Sequence, residues 1–128
     1  MTGTGDGMHR GQPVLTAGSP LDGAQAAMIM VHGRGASARD ILLLAQEWRA
    51  DGVAYLAPQA ANSTWYPNRF IAPIATNEPW LSSALASLDD VLQTVAGAGI
   101  AADRTVLLGF SQGGCLALEF AARNPQRY

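Results

Sequence analysis

The segment LGFSQGGCLALEF, residues 108–120, decides the fold because a strand pattern changes into a helical one within it. TVLLGF, residues 105–110, is a short apolar run, and residues 112–123 read as a helix that stops before Asn124-Pro125. The turn between them, Gly109-Phe110-Ser111-Gln112-Gly113, fits the pattern G-x-S-x-G. We therefore predict that Ser111 lies on a sharp turn between a strand and a helix.

The residue types in this turn suit a nucleophile. Gly109 and Gly113 would let the strand and the helix approach closely, which a strained turn between them requires. The backbone N–H of Gln112 and the positive end of the helix dipole would point toward the space beside the Ser111 oxygen, where a tetrahedral oxyanion would form. A chance Gly-Ser turn is the structural alternative.

Working outward, the same strand-turn-helix unit occurs twice more. AAMIMV (26–31) is an apolar run without alternation, typical of a central parallel strand, and Ser37 then begins a helix that extends to about Ala50. VAYLAP (53–58) predicts another strand, and a stripe of apolar side chains from Leu81 to Val95 predicts a second helix. Strands that alternate with helices predict an α/β fold, a mostly parallel sheet covered by helices on both faces.

The remaining segments carry weaker signals. Residues 1–11 are glycine-rich and predict a mobile tail, whereas residues 12–25 predict an edge hairpin outside the main sheet. The loop from Gln59 to Trp80 is long enough to be functional or to hide short elements. Its aromatic residues would line a pocket at the strand ends or pack the loop onto the domain; they are Trp65, Tyr66, Phe70 and Trp80.

Composition excludes several classes of function. A net charge of −2 with only eight dispersed Lys and Arg residues argues against nucleic acid as a partner. His9 and His32 lie far apart, so no metal site is predicted, and no cofactor is implied. A single cysteine, Cys115, favours a reducing compartment, which we interpret as the cytoplasm. Its side chain is expected to be a small buried residue of the core. The longest apolar run is too short for stable membrane insertion, and homo-oligomer formation stays open.

Three stretches together resemble the phospholipase/carboxylesterase family of α/β-hydrolases, which includes the acyl-protein thioesterases: VHGRGAS (31–37), APQAANSTWYP (57–67) and LGFSQGGCLALEFA (108–121). The resemblance implies an α/β-hydrolase fold and a serine carboxylesterase, thioesterase or lysophospholipase. Such an enzyme uses a Ser-Asp-His triad to cleave a small-molecule acyl ester or thioester, and the reaction passes through an acyl-enzyme. Ser111 matches the nucleophile, Arg34 and Gln112 match the backbone oxyanion donors, and His32, Gly33 and Gly35 match the oxyanion loop. Many relatives have a small or apolar residue where Arg34 stands, so an anionic substrate group would suit this chain.

The acid and the base of such a triad are not assigned by the sequence. In this fold they follow the serine, yet the seventeen residues after Ser111 include no histidine and one acid, Glu119, which is spaced to pair with Arg123. His32 more simply orients its loop through hydrogen bonds than acts as a base. We therefore expect residues 12–128 to form the N-terminal part of one hydrolase domain that lacks full turnover by itself, with the Asp and the His beyond Tyr128.

Two alternatives from other classes stay open. GRGASA (33–38) fits the G-x-G-x-x-[GA] pattern of a Rossmann dinucleotide-binding turn between a strand and a helix. That interpretation needs an acidic residue at the end of the next strand, where this chain has Ala57-Pro58-Gln59. The other alternative is a degenerate hydrolase fold that binds a ligand without catalysis.

Overall fold

A computed structural model of the chain describes residues 6–48, 50–69 and 71–128. Within these ranges the strands are β1 (Val14–Gly18), β2 (Ala26–Val31), β3 (Val53–Pro58) and β4 (Thr105–Gly109). The α-helices are α1 (Asp6–His9), α2 (Ala38–Trp48), α3 (Trp80–Gly97) and α4 (Gln112–Arg123). Short 3₁₀ helices span Ala61–Ser63, Ile74–Asn77 and Ala102–Arg104. The two that fall within the long loop confirm that it hides short elements.

The strands form one mostly parallel sheet in the order β1-β3-β2-β4. β2 is parallel to both β3 and β4, whereas β1 runs antiparallel to β3. The predicted α/β class and the central position of β2 are confirmed. The register pairs Val31 with Gly109, so β2 and β4 end side by side. The turns that follow these two strands therefore start at neighbouring points on the same edge of the sheet.

Helices cover both faces of the sheet, as predicted. Side chains on a strand alternate between faces, and this alternation is visible in β2. Ile29 packs with Leu88 of α3 and Leu116 of α4 in one apolar cluster. Met30 packs on the opposite face, with Ile41 of α2 in a second cluster. A strand buried on both faces explains why its sequence is continuously apolar.

The prediction of an edge hairpin outside the main sheet is wrong for residues 12–25. β1 joins the main sheet at its edge, where Leu15 lies opposite Ala57 of β3. Within this segment a second strand does not form in the described structure, so no hairpin is present. β1 takes its backbone partners from a strand about forty positions further along the chain, a pairing that local turn signals do not reveal.

The predicted tail is also corrected for the residues that the structure describes. Residues 6–9 form the short helix α1, and His9 is only 1% exposed. Arg10 forms an ion pair with Asp90 of α3 at 2.6 Å. The His9 ring is held by hydrogen bonds to the backbone of Ala61 and Trp65. Residues 1–5, the rest of the predicted tail, lie outside the described part of the chain.

A helix that crosses a lipid bilayer needs about 20 predominantly apolar residues. Within the described ranges, no helix is both long enough and apolar enough to cross a membrane.

Candidate active site

Ser111 lies on the turn between β4 and α4, with its side chain exposed. Its backbone has φ 55° and ψ −119°, a conformation that a residue with a side chain rarely adopts. Such strain persists only where the surrounding structure imposes it, and it is found at functional sites. The predicted position of Ser111, at a sharp turn on the carboxyl edge of the sheet, is thus confirmed.

The two flanking glycines permit close contact between backbones. A methyl group at Gly113 would collide with the carbonyl oxygens of Val31 and His32. A methyl group at Gly109 would collide with the backbone of Gly113 itself. The first turn of α4 therefore packs directly on the end of β2, and only glycine fits at either position.

The two predicted oxyanion donors flank the same turn. A methyl group at Gly33, next to Arg34, would lie 3.4 Å from the Cβ of Ser111, so the loop after β2 touches the serine. Gln112 is the first residue of α4 and directly follows Ser111. Among the described residues, no acceptor pairs with the backbone N–H of Arg34 or of Gln112. Both N–H groups are thus free to bind a ligand oxygen.

The side chain of Gln112 holds the long loop against the turn, a role that the sequence did not reveal. It is 8% exposed, its Oε1 accepts a hydrogen bond from the Trp65 backbone N–H at 2.9 Å, and its Nε2 donates to the Tyr66 carbonyl at 2.8 Å. The same loop is held by Arg34, whose guanidinium donates to three consecutive carbonyls, those of Tyr66, Pro67 and Asn68. The side chains of both predicted oxyanion donors therefore form hydrogen bonds with one segment, residues 65–68.

His32 orients the loop after β2. Its Nε2 accepts a hydrogen bond from the Ala60 backbone N–H at 3.0 Å, so its Nδ1 carries the proton and donates to the Gly33 carbonyl at 2.8 Å. The ring stacks on Trp65 at 5.1 Å between centroids, and the Trp65 indole N–H donates to the His32 carbonyl. Burial lowers the pKa of His32. With both nitrogens engaged, this neutral imidazole is placed to hold the loop rather than to deprotonate Ser111.

The His9 ring also contacts the Trp65 ring, at 5.3 Å between centroids and with an angle of 56° between the ring planes. Its Nδ1 accepts from the Ala61 N–H at 3.0 Å and its Nε2 donates to the Trp65 carbonyl at 2.7 Å. Burial lowers the pKa of His9, and the nearby His32 contributes in the same direction. We call His9, Trp65 and His32 the histidine–tryptophan stack. It fixes the start of the long loop, and no local sequence pattern pointed to His9.

A cavity of about 440 Å³ opens beside Ser111. Tyr66, a predicted pocket residue, lines it together with Arg34, Arg69 and Cys115. Burial is the main cause that raises the pKa of Tyr66 to about 12. The other predicted pocket residue, Trp65, is completely buried in the stack instead of lining this cavity. This is the packing alternative that the sequence left open, and Phe70 lies outside the described residues.

The acidic and metal-binding side chains around the turn are few or already paired. Within the described ranges, no three His, Cys, Asp or Glu side chains are grouped closely enough to hold a metal ion. Glu119 pairs with Arg123 at 2.6 Å, as its spacing predicted. Neither this carboxylate nor the two histidines is thus available to Ser111 as a free base or acid.

The turn after β2 also tests the nucleotide-binding alternative. A Rossmann turn presents free N–H groups of the following helix to a pyrophosphate. Here the Ala38 N–H, the first of α2, donates to the Gln59 side chain at 2.9 Å, and the Asp40 N–H donates to Ser37 Oγ at 3.1 Å. The Gly35 N–H donates to the Ser63 carbonyl. These bonds occupy three of the N–H donors of this turn, which argues against that alternative.

Comparisons with known proteins agree with this geometry. A crystal structure of a phospholipase/carboxylesterase from Dyadobacter fermentans is 43% identical with a TM-score of 0.88, over 91% of this chain and 56% of that one. A crystal structure of esterase PE8 is 27% identical with a TM-score of 0.65, over 88% of this chain and 57% of that one. This chain thus spans little more than half the length of either. The family model described as phospholipase/carboxylesterase matches residues 15–128, nearly the whole chain including the turn at Ser111, so the chain belongs to the phospholipase/carboxylesterase family of α/β-hydrolases.

Proposed function

We propose that this chain carries the nucleophile and the oxyanion hole of a serine hydrolase that cleaves carboxylic esters of small molecules. The observation that carries the proposal is the strained turn at Ser111, exposed between the free N–H groups of Arg34 and Gln112. Family membership supports the ester as the substrate class. Preorganised N–H groups aimed at a developing negative charge are among the largest contributions to catalysis.

The reaction follows from this arrangement. The Ser111 oxygen attacks the acyl carbonyl and transfers its proton to a base, while the N–H groups of Arg34 and Gln112 stabilise the negative charge on the former carbonyl oxygen. The tetrahedral intermediate expels the alcohol, which takes up the proton, and leaves an acyl-enzyme on Ser111. Water then attacks the acyl group and regenerates the serine with release of a carboxylic acid. A thioester would react by the same steps with a thiol as the leaving group.

We propose that the base and its orienting acid come from residues outside these 128, so that residues 12–128 form one part of a hydrolase domain. The support is that both ring nitrogens of His9 and of His32 are engaged in other hydrogen bonds. The free thiol of Cys115 supports a reducing compartment, for which the cytoplasm is our proposal.

The proposal is tested by labelling with a fluorophosphonate, which forms a covalent bond only with an activated serine. We expect the complete product of the gene to be labelled at Ser111, identified by mass spectrometry of the labelled peptide. Ser111→Ala should abolish the labelling and ester hydrolysis, whereas Cys115→Ser, one helical turn away, should leave the site of labelling unchanged. An unlabelled Ser111 in folded protein would favour the degenerate binding module instead.

A further inference from the structure

The cavity beside Ser111 has an unbalanced charge. It is lined by two arginines, Arg34 and Arg69, together with uncharged polar and apolar residues. No carboxylate is found among the described residues that line it. The N-terminus of α4, a helix of twelve residues, begins at Gln112 in the same lining, and its dipole adds further positive potential.

The charge of Arg34 is not neutralised by its contacts. Its three hydrogen bonds go to neutral backbone carbonyls, and it forms no ion pair with any described carboxylate. A guanidinium has five N–H donors, so two remain after these three bonds. The carbonyls fix the orientation of the group while leaving its full positive charge and two donors for a ligand.

Arg69 is held beside the cavity by the backbone of its own loop. The buried side chain of Asn77 accepts a hydrogen bond from the Asn68 N–H at 2.7 Å and donates to the Arg69 carbonyl at 3.3 Å. Asn68 Nδ2 also donates to the Thr76 carbonyl at 2.8 Å. These bonds tie residues 68–69 to the 3₁₀ helix Ile74–Asn77, so the second arginine starts from a fixed point near Ser111.

The acidic residue to consider on the neighbouring elements is Glu119 of α4. It lines an adjacent, mostly apolar cavity of about 360 Å³ together with Tyr66 and Cys115. Its carboxylate is paired with Arg123 at 2.6 Å, and that pair has no net charge. It therefore does not offset the two arginines on the Ser111 side of Tyr66.

We propose that Arg34 and Arg69 select esters that carry a negatively charged group, a carboxylate or a phosphate, a few atoms from the scissile carbonyl. This inference rests on the proposed ester hydrolysis and names the substrate class for the same site. Arg69 is a specificity-determining residue that lines the cavity without supplying an oxyanion donor. Its substitution therefore tests substrate selection by charge separately from stabilisation of the oxyanion. Arg34 supplies a fixed charge in addition to its backbone N–H.

The test compares two esters that differ by a single methyl group, with the complete gene product as the enzyme. One is mono-4-nitrophenyl glutarate, an anion at neutral pH, and the other is its neutral methyl ester. We expect kcat/KM to favour the anion, and Arg69→Gln to reduce that preference about 1.5- to fivefold, the range for one exposed charge pair. High salt should reduce the preference in the wild type as well, since exposed charges are screened. Ser111→Ala supplies the rate of uncatalysed hydrolysis, to which the glutarate carboxylate itself contributes.

The matched control is Arg104→Gln. Arg104 precedes β4, at the opposite end of the strand from Ser111, and donates to the carbonyls of Gln25 and Gly99. Its substitution removes the same charge far from the cavity and should leave the ratio of the two kcat/KM values unchanged. An equal ratio in the wild type and Arg69→Gln, or an equal loss in both variants, would overturn the inference.

A binding measurement separates this inference from the proposed function. In Ser111→Ala, the chemical shift of the Gln112 amide should titrate with glutarate monomethyl ester, and Arg69→Gln should weaken the binding about 1.5- to fivefold. Binding that is indifferent to Arg69 refutes the charge preference even if esters are cleaved. Charge-selective binding without hydrolysis or labelling by fluorophosphonate would refute the proposed catalysis alone.

Discussion

Lowering the pH from about 8 to about 5.5 should destabilise the folded chain through His9 and His32. Each imidazole is neutral in the fold because one ring nitrogen accepts a backbone hydrogen bond, from Ala61 to His9 and from Ala60 to His32. Protonation would turn each acceptor into a donor that faces another N–H group. Acid therefore acts on two adjacent residues at the start of the long loop.

The sign follows from the pKa values. Burial lowers the pKa of both groups from the ordinary value of 6.5 in the folded chain, whereas the unfolded chain keeps that value. The unfolded state thus binds more protons as the pH falls below 6.5 toward the native pKa values, and stability is lost in that window. Each histidine contributes a slope that approaches about 1.4 kcal/mol per pH unit. At about pH 5.5 the two together would cost up to about 2.8 kcal/mol relative to about pH 8.

Urea unfolding followed by tryptophan fluorescence measures this free energy at each pH. The chain has only two histidines, so His9→Asn and His32→Asn should each remove about half of the pH dependence between about pH 8 and about pH 5.5, and the double variant should remove nearly all. A flat profile in the wild type, or a full slope in the double variant, would refute the reasoning. Where a variant folds poorly, the pKa values of His9 and His32 can be measured in the wild type by NMR titration. A pKa at or above 6.5 for both rings would also refute the reasoning.

Three substitutions test the packing around Ser111. Gly113→Ala forces a methyl group against backbone carbonyls and should lower the free energy of unfolding by about 3 kcal/mol or more. The control is Gly97→Ala, on the exposed side of α3 with open space around it, which should be neutral or stabilising. Equal effects of the two substitutions in urea unfolding would contradict the close contact at Gly113. Gln112→Met leaves the buried N–H of Trp65 without its acceptor, so exchange of that amide with deuterium should accelerate, and unchanged protection would show that the bond is dispensable. Trp65→Phe removes the indole donor to the His32 carbonyl and should cost about 1–3 kcal/mol in urea unfolding, with no loss as the contrary result.

The sequence predicted the strand-helix units because their signals are local. The run at β2 is continuously apolar since both faces of the strand are covered, and a strand covered on one face would have alternated. The sharp turn at Ser111 was also predictable, because the requirement for Gly109 and Gly113 arises from contacts within a few residues of Ser111 and at the end of the neighbouring strand. A pattern of five residues therefore located a three-dimensional feature.

The failures fall where the deciding contacts are distant along the chain. β1 carries a short polar-interrupted run, and only its pairing with β3 makes it part of the sheet. His9 lies in a glycine-rich segment that resembles a tail, and its burial depends on acceptors and donors at Ala61 and Trp65, more than fifty positions away. Neither contact leaves a periodicity or a turn signal, so an analysis by pattern had nothing to detect.

The contacts of the Arg34 and Gln112 side chains were unpredictable for a related reason. These contacts connect the turn at Ser111 to the long loop. Their family-matched role uses only backbone N–H groups, for which any side chain would serve. In the structure both side chains hold residues 65–68, which also place Tyr66 at the cavity and Trp65 in the histidine–tryptophan stack. Loss of the stack on acidification would therefore release the segment that anchors both proposed oxyanion donors. If the proposed function is correct, the catalytic rate of the complete gene product should fall at low pH together with the stability, even at a pH where the base that serves Ser111 remains unprotonated.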